Sequence, residues 1–122
     1  MGKKILVIDD DELMLRALDC LLMHEEFQTK TLAKAELIEN VVSDFRPDLI
    51  VMDIRLDTAD GRTVCDRLKA DESTSHIPII LLTGLTFNEI AHMDCHADAI
   101  IGKPFKNSSL LHTIKQFLRT GH

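Results

Sequence analysis

The chain has 122 residues, of which 45% are hydrophobic, and its formal net charge at pH 7 is −6. This length and composition predict one domain, residues 1–122, with a core large enough to be stable without disulfides or a structural metal. The acidic balance and the absence of Trp and Tyr argue against direct nucleic-acid binding, which needs clustered cations and stacking rings.

Five short segments predict strands. Four of them are continuous apolar runs, which is typical of parallel strands that are covered on both faces, and the second is weaker. In chain order the predicted strands are Ile5–Ile8, Phe27–Thr31, Leu49–Met52, Ile79–Leu82 and Ala99–Ile101.

Helical spacing of apolar residues predicts a helix after each strand. The helices are indicated by Met14, Leu18, Leu21 and Leu22; by Ile38, Val41, Val42 and Phe45; by Val64 and Leu68; by Phe87–Cys95; and by Leu110, Leu111, Ile114, Phe117 and Leu118. The fourth helix has the least regular apolar face. Chain-breaking residues, among them Asp60-Gly61 before the third helix, fall between the elements. The alternation of strand and helix predicts an α/β fold with helices on both sides of a parallel sheet.

The cysteines and the apolar runs indicate the compartment. Cys20, Cys65 and Cys95 are odd in number and scattered, which favours thiols in a reducing compartment over a disulfide framework. No apolar run reaches the roughly 18 residues that a membrane helix needs, and the first four residues do not resemble a signal peptide. We therefore expect a cytoplasmic protein that does not contact a membrane.

Polar side chains follow four of the predicted strands. Asp9 and Asp10 follow the first, Asp53 the third, Thr83 the fourth and Lys103 the fifth. Ligands of such sheets bind outside the carboxyl ends of the strands, so these groups are expected to meet. Three carboxylates repel one another, and Mg²⁺, which takes hard oxygen ligands, would offset this repulsion. A lysine and a hydroxyl beside the metal suit an anion, which together indicates a phosphoryl site.

Five motifs in order resemble the receiver domains of bacterial two-component response regulators. They are Asp9-Asp10 after ILVI, Asp53 in DLIVMDIRL, Asp60-Gly61, Thr83-Gly84 after PIILL, and Lys103-Pro104-Phe105. The motifs span residues 3–105, with a final helix behind them. The resemblance implies a three-layer, doubly wound, flavodoxin-like fold whose five parallel strands have the order 2-1-3-4-5.

The resemblance also implies a Mg²⁺ site, which Mn²⁺ would also fill. Asp10, Asp53 and the backbone carbonyl of Arg55 would bind the ion directly, and Asp9 would act through a coordinated water. A cis peptide bond between Lys103 and the proline that follows it is a further expectation, since members of the family commonly have one here.

The activity implied by the resemblance is phosphoacceptance and signalling. Asp53 would accept a phosphoryl group from the phosphohistidine of a histidine kinase or a histidine phosphotransfer protein, while Lys103 and Thr83 would bind phosphoryl oxygens. Such a protein is not an enzyme, although it assists its own phosphorylation and dephosphorylation. It would signal to a downstream protein or effector domain through the face formed by the fourth helix, the fifth strand and the final helix.

Three features depart from the family pattern. Ile100 stands where the family usually has an aromatic residue that responds to phosphorylation together with the threonine at position 83, so the usual switch is in doubt. Asp57 stands where proline is common. The segment from Thr83 to Lys103 is about two residues short, which makes the partner-binding face the least predictable part.

Other acidic and metal-ligand residues have simpler explanations. Asp11 and Glu12 are expected only to favour the start of the first helix. His92 and His96 have the spacing of a ligand pair, but no second cluster completes a metal site, so we expect them to face solvent.

Two alternatives to a switching receiver stay open. Ile100 and the short segment suggest a receiver-shaped interaction module that does not switch. A haloacid-dehalogenase-type phosphatase also uses an aspartyl nucleophile, but it needs a second acid where this chain has Arg55. Since the sequence contains no effector, we expect a phosphorelay intermediate or an excised receiver rather than a stand-alone regulator.

Overall fold

A five-stranded parallel sheet forms the centre of the computed structural model, which describes residues 2–56, 59–84, 89 and 96–120. In chain order the strands are β1 (Lys4–Ile8), β2 (Gln28–Leu32), β3 (Leu49–Asp53), β4 (Arg55–Leu56), β5 (Ala59–Asp60), β6 (Ile79–Thr83) and β7 (Ala99–Gly102). The central sheet has the order β2-β1-β3-β6-β7, and β4 and β5 form a separate antiparallel pair. Because β6 and β7 are the fourth and fifth strands of the central sheet, the predicted order 2-1-3-4-5 is confirmed.

All five predicted strands are present, and each of their ends lies within one residue of the prediction. Backbone pairing does not depend on side-chain polarity, so it continues past the apolar runs. Asp53 pairs with Leu82, and Thr83 pairs with Gly102. Two residues that we predicted to follow strands therefore form the last rungs of the sheet.

In the part of the chain that the structure describes, four α-helices connect or follow the strands. They are α1 (Glu12–His24), α2 (Ile38–Phe45), α3 (Gly61–Ala70) and α4 (Asn107–Thr120), and a 3₁₀ turn at Ala35–Leu37 precedes α2. Asp11 caps α1, since its side chain accepts hydrogen bonds from the backbone N–H groups of Leu13 and Met14. The predicted helix Phe87–Cys95 and the family departure at Asp57 lie outside the described residues.

Two apolar clusters, one on each face of the sheet, form the core. Successive strand residues point to opposite faces, so Ile5 and Val7 pack with α1 and α4, whereas Leu6 and Ile8 pack with α2 and α3. Cys65 is buried in the second of these clusters. The predicted three-layer α/β architecture is therefore confirmed.

In the part of the chain that the structure describes, no helix combines the length and the apolar composition needed to cross a membrane.

Candidate functional site

Three carboxylates converge at the carboxyl edge of the two central strands. Ile8 of β1 pairs with Met52 of β3, so Asp9 and Asp53, the residues that follow this pair, leave adjacent strands at the same level. Asp9 and Asp53 are buried, with 1% and 8% of their surface exposed, and Asp10 is exposed. One oxygen from each of the three side chains lies within 4.8 Å of the other two. The predicted acidic cluster thus exists.

Asp9 is the most deeply buried acid of the cluster. Its Oδ1 atom accepts a hydrogen bond of 2.9 Å from the backbone N–H of Asp11. Its buried Oδ2 atom receives no hydrogen bond from any described residue. Burial raises the pKa of Asp9 from 3.8 to about 6; the Asp11 N–H opposes this rise and the charge of Asp53 adds to it. A buried carboxylate oxygen without a donor is costly, so this atom is suited to a cation or to a water bound to one.

Lys103 brings a positive charge into the cluster from the end of β7. Its Nζ atom donates a hydrogen bond of 2.8 Å to Asp53 Oδ2 and lies 3.7 Å from Asp9 Oδ2. Burial by itself lowers the pKa of Lys103, but the bond to Asp53 and the charges of Asp53 and Asp9 outweigh it, so the pKa lies above its ordinary 10.5. Lys103 is therefore a positively charged group that offsets the charge of Asp53.

The backbone of Lys103 connects the cluster to Thr83. The Lys103 N–H donates to the Thr83 carbonyl at 2.6 Å, and the peptide bond from Lys103 to Pro104 is cis, as expected. Thr83 is the last residue of β6 and is 1% exposed. The end of the fourth predicted strand thus adjoins the lysine through the backbone.

Ile100, the other residue predicted for the switch, lies farther back in β7. It pairs with Leu81, two residue pairs before the end of β6 and β7. It packs against the apolar core cluster that contains residues of α2 and α3. Ile100 is thus a half-buried aliphatic residue at the margin of the core. The expectation of an altered switch stays a prediction.

The backbone after Asp53 is held by several hydrogen bonds. Asp53 Oδ1 accepts from the Arg55 N–H at 3.1 Å, and the Ile54 N–H donates to Leu82 at 2.9 Å. Arg55 pairs with Asp60 in the short antiparallel ladder. The segment that contains the Arg55 carbonyl, a predicted metal ligand, is consequently part of an ordered structure.

Asp60 and Arg62 form an ion pair that the sequence analysis missed. Asp60 caps α3 by accepting from the Arg62 N–H at 2.8 Å, and the Arg62 guanidinium binds both oxygens of the same carboxylate. This side-chain hydrogen bond is the main cause that lowers the pKa of Asp60. The sequence indicates this ion pair only by placing an acid two residues before an arginine at the start of a helix.

The donor set fits Mg²⁺. Carboxylate oxygens are hard ligands of the kind this ion prefers, and the Asp9 oxygen that accepts no hydrogen bond from the described residues adds a position for a metal-bound water.

The two histidines that have the spacing of a ligand pair lie elsewhere in the chain. Within the described residues, His96 is exposed and its ring pairs with Asp66 at 3.0 Å, in line with the expectation that it faces solvent. Its predicted neighbour His92 lies outside the described residues.

Comparison with known proteins shows one family. The sequence model of the family described as "Response regulator receiver domain" matches residues 5–115. The DNA-binding response regulator MtrA of Mycolicibacterium paratuberculosis is 34% identical over 121 residues, which are 98% of this chain and 52% of MtrA. The chain thus spans about half the length of the curated relatives it matches.

Solved structures with this fold include two receiver domains of 30% identity. The signal receiver domain of a signal transduction histidine kinase from Syntrophus aciditrophicus has a TM-score of 0.90, covering 98% of this chain and 92% of its own. The BeF₃-activated DrrB receiver domain has a TM-score of 0.84, covering 98% of this chain and 99% of its own.

Proposed function

Because the chain belongs to the response regulator receiver domain family, we propose that Asp53 is its phosphoacceptor and that phosphorylation changes how the domain binds a partner. The observation that supports this most strongly is the hydrogen bond between Lys103 and the Asp53 carboxylate, at the centre of the acidic cluster. A nucleophilic carboxylate, a fixed cation and a place for a divalent metal are the parts that phosphoryl transfer needs.

In the proposed reaction, an Asp53 oxygen forms a bond to phosphorus while the bond from phosphorus to the donor's imidazole nitrogen breaks. That nitrogen keeps the electron pair and takes up a proton. Lys103 is already within 2.8 Å of Asp53, so its ammonium group can move to an oxygen of the transferred group without leaving the site. Thr83, which adjoins Lys103 through its backbone, would donate to a second oxygen.

We propose that Mg²⁺ is the metal of this site, with Mn²⁺ as a substitute. Asp10, Asp53 and the Arg55 carbonyl would hold it directly, and Asp9 would hold one of its waters. Bound there, the ion would offset the repulsion between the carboxylates and the phosphoryl oxygens. The Asp9 Oδ2 atom supports this assignment because it is buried and accepts no hydrogen bond from the described residues, with Lys103 Nζ 3.7 Å away.

The proposed partners are a histidine kinase or histidine phosphotransfer protein as donor, and a downstream protein or effector domain as recipient. The recipient would bind the face formed by the predicted fourth helix (Phe87–Cys95), the strand β7 and the final helix α4. MtrA is a DNA-binding response regulator, but this chain corresponds to only half of it, and we propose no DNA contact for the receiver. We also propose a cytoplasmic location, where such kinases keep their phosphohistidines.

Intact-mass measurement after incubation with acetyl phosphate and Mg²⁺ tests the phosphoacceptor. We expect the mass of one phosphoryl group on the wild type and none on Asp53→Asn. Asp44→Asn, which removes the same charge from the exposed surface of α2, is the matched control and should be phosphorylated like the wild type. Phosphorylation of Asp53→Asn at the wild-type level would refute the assignment.

A non-switching receiver is the second candidate function, because Ile100 replaces the aromatic residue expected in β7. Backbone amide exchange with and without phosphorylation distinguishes the two. Altered exchange in β7 and α4 would support switching, whereas a phosphorylated domain with unchanged exchange would support the non-switching module.

A further inference from the structure

Gly61, the first residue of α3, lies against the backbone of the phosphoacceptor strand. A Cβ atom added to Gly61 would lie 2.4 Å from the Asp53 carbonyl oxygen and 2.9 Å from Ile54 Cα. Cβ atoms essentially never approach a heavy atom within 3.0 Å. Both obstructing atoms belong to the backbone, so no side-chain rotation would relieve the contact. Gly61 does not have a positive φ, and the glycine is therefore required for space rather than for its conformation.

The backbones of α3 and the strand end are also directly bonded. The Gly61 N–H donates to the Ile54 carbonyl at 2.6 Å, and Asp60 pairs with Arg55. Arg55 in turn donates its N–H to the Asp53 side chain. The start of α3 therefore determines where the backbone from Asp53 to Arg55 lies.

The helix cannot easily yield to an added methyl group. Val64, Cys65 and Leu68 bury one face of α3 in the core, and Asp60 caps its first turn. A close-packed core resists rigid-body movement of a helix. A side chain at position 61 would thus displace the strand end and the segment after it.

We infer that the Asp60-Gly61 start of α3 is a positioning element for the metal site, because it fixes the backbone that presents the Arg55 carbonyl beside Asp53. This inference rests on the proposed function, in which that carbonyl is a Mg²⁺ ligand. Neither Asp60 nor Gly61 is among the proposed ligands of the ion.

Calorimetric titration with Mg²⁺ tests the inference on wild type and Gly61→Ala. We expect Gly61→Ala to bind Mg²⁺ at least tenfold more weakly, and its phosphorylation by acetyl phosphate to need correspondingly more Mg²⁺ while the rate at saturating Mg²⁺ is largely retained. Gly84→Ala is the matched control, since an added Cβ there meets no atom of the described residues within 4 Å. It should bind Mg²⁺ like the wild type.

A second pair of variants covers the case in which Gly61→Ala does not fold, which circular dichroism without Mg²⁺ would show. Asp60→Asn and Asp60→Ala both remove the charge, but only the asparagine can still accept the Arg62 N–H and cap α3. We expect Asp60→Ala to bind Mg²⁺ several-fold more weakly than Asp60→Asn.

The outcomes separate this inference from the proposed function. A wild type that does not bind Mg²⁺ would overturn the proposed metal site itself. A wild type that binds Mg²⁺, with unchanged affinity in a folded Gly61→Ala, would overturn only the positioning role. Equal affinities of Asp60→Ala and Asp60→Asn would do the same if Gly61→Ala does not fold.

Discussion

Four consecutive acids from Asp9 to Glu12 follow β1, and their surroundings give them different roles. Asp9 is buried beside Lys103, Asp10 joins the cluster from the exposed side, and Asp11 caps α1. Glu12 lies in the first turn of that helix, where a negative charge is favourable. Residues of one chemical type thus serve the site or the helix according to which backbone N–H groups and charges they face.

Asp9 makes the stability of the metal-free protein depend on pH. Its pKa is about 6 in the folded chain and about 3.8 in the unfolded chain. Between these values the folded protein keeps a proton that the unfolded chain has lost, so rising pH favours unfolding. The preference of the folded protein for the protonated Asp9 side chain stabilises it by about 3 kcal/mol. This contribution to the free energy of unfolding is fully present below pH 3.8 and is lost above pH 6. We therefore expect Asp9→Asn to gain about that much relative to the wild type from pH 4 to pH 7.

Urea unfolding followed by circular dichroism, in EDTA, measures this difference. Asp44→Asn serves as the control for the loss of one negative charge, and its difference from the wild type should change little with pH because Asp44 is exposed. If Asp9→Asn differs from the wild type equally at pH 4 and pH 7, the buried Asp9 carboxyl does not have the raised pKa.

Some contacts of single residues could not be predicted from the sequence. The order of strands placed Lys103 at the correct edge, but not its hydrogen bond to Asp53, because the partner of a long side chain depends on distances that spacing does not give. The Asp60-Gly61 pair was recognised as a chain break before a helix. Its close approach to the Asp53 backbone depends on how α3 packs, which only the three-dimensional structure shows.

At the scale of elements, α4 is attached to the sheet chiefly by two buried residues. Leu110 and Ile114 are 0% exposed and lie one turn apart in the cluster shared with α1. Truncating a buried leucine removes apolar contacts and leaves a cavity, at a typical cost of 2–5 kcal/mol. We expect Leu110→Ala to lower the free energy of unfolding by roughly that amount.

His112→Ala on the exposed side of the same helix is the control, and it should change the unfolding free energy by less than about 0.5 kcal/mol. Urea unfolding at pH 7 compares the two variants. Similar effects of Leu110→Ala and His112→Ala would show that α4 is not anchored through Leu110.

The elements that the sequence predicted well are those with a strong apolar pattern. The central strands are buried on both faces, so their runs are continuous and easily recognised. The two-residue strands β4 and β5 were not predicted, because a segment of two residues has no periodicity. The predicted apolar stripe of α1 began at Met14, which lies at the edge of the buried face. For this reason the stripe did not include Leu15, although Leu15 is only 5% exposed.

At the scale of the whole molecule, the site joins parts of the chain that only folding brings together. Asp9 and Asp10 follow β1, Asp53 ends β3, and Lys103 follows β7, so the unfolded chain holds no preformed metal site. A ligand that binds only the folded state stabilises it by an amount that grows with the ligand concentration. Mg²⁺ should therefore stabilise the entire domain, although its proposed ligands lie at one edge of the sheet.

We expect Mg²⁺ at about 100 times its dissociation constant to raise the free energy of unfolding of the wild type by about 2.7 kcal/mol at pH 7. Asp53→Asn replaces one carboxylate ligand with a neutral amide, so its stabilisation by the same Mg²⁺ concentration should fall to less than half. Asp44→Asn should keep the full effect.

Comparing each variant with and without Mg²⁺ removes its intrinsic change in stability, including the loss of the Lys103 partner in Asp53→Asn. Because only the metal-dependent part is compared, equal stabilisation of Asp53→Asn and the wild type would mean that the ion binds the folded domain away from Asp53.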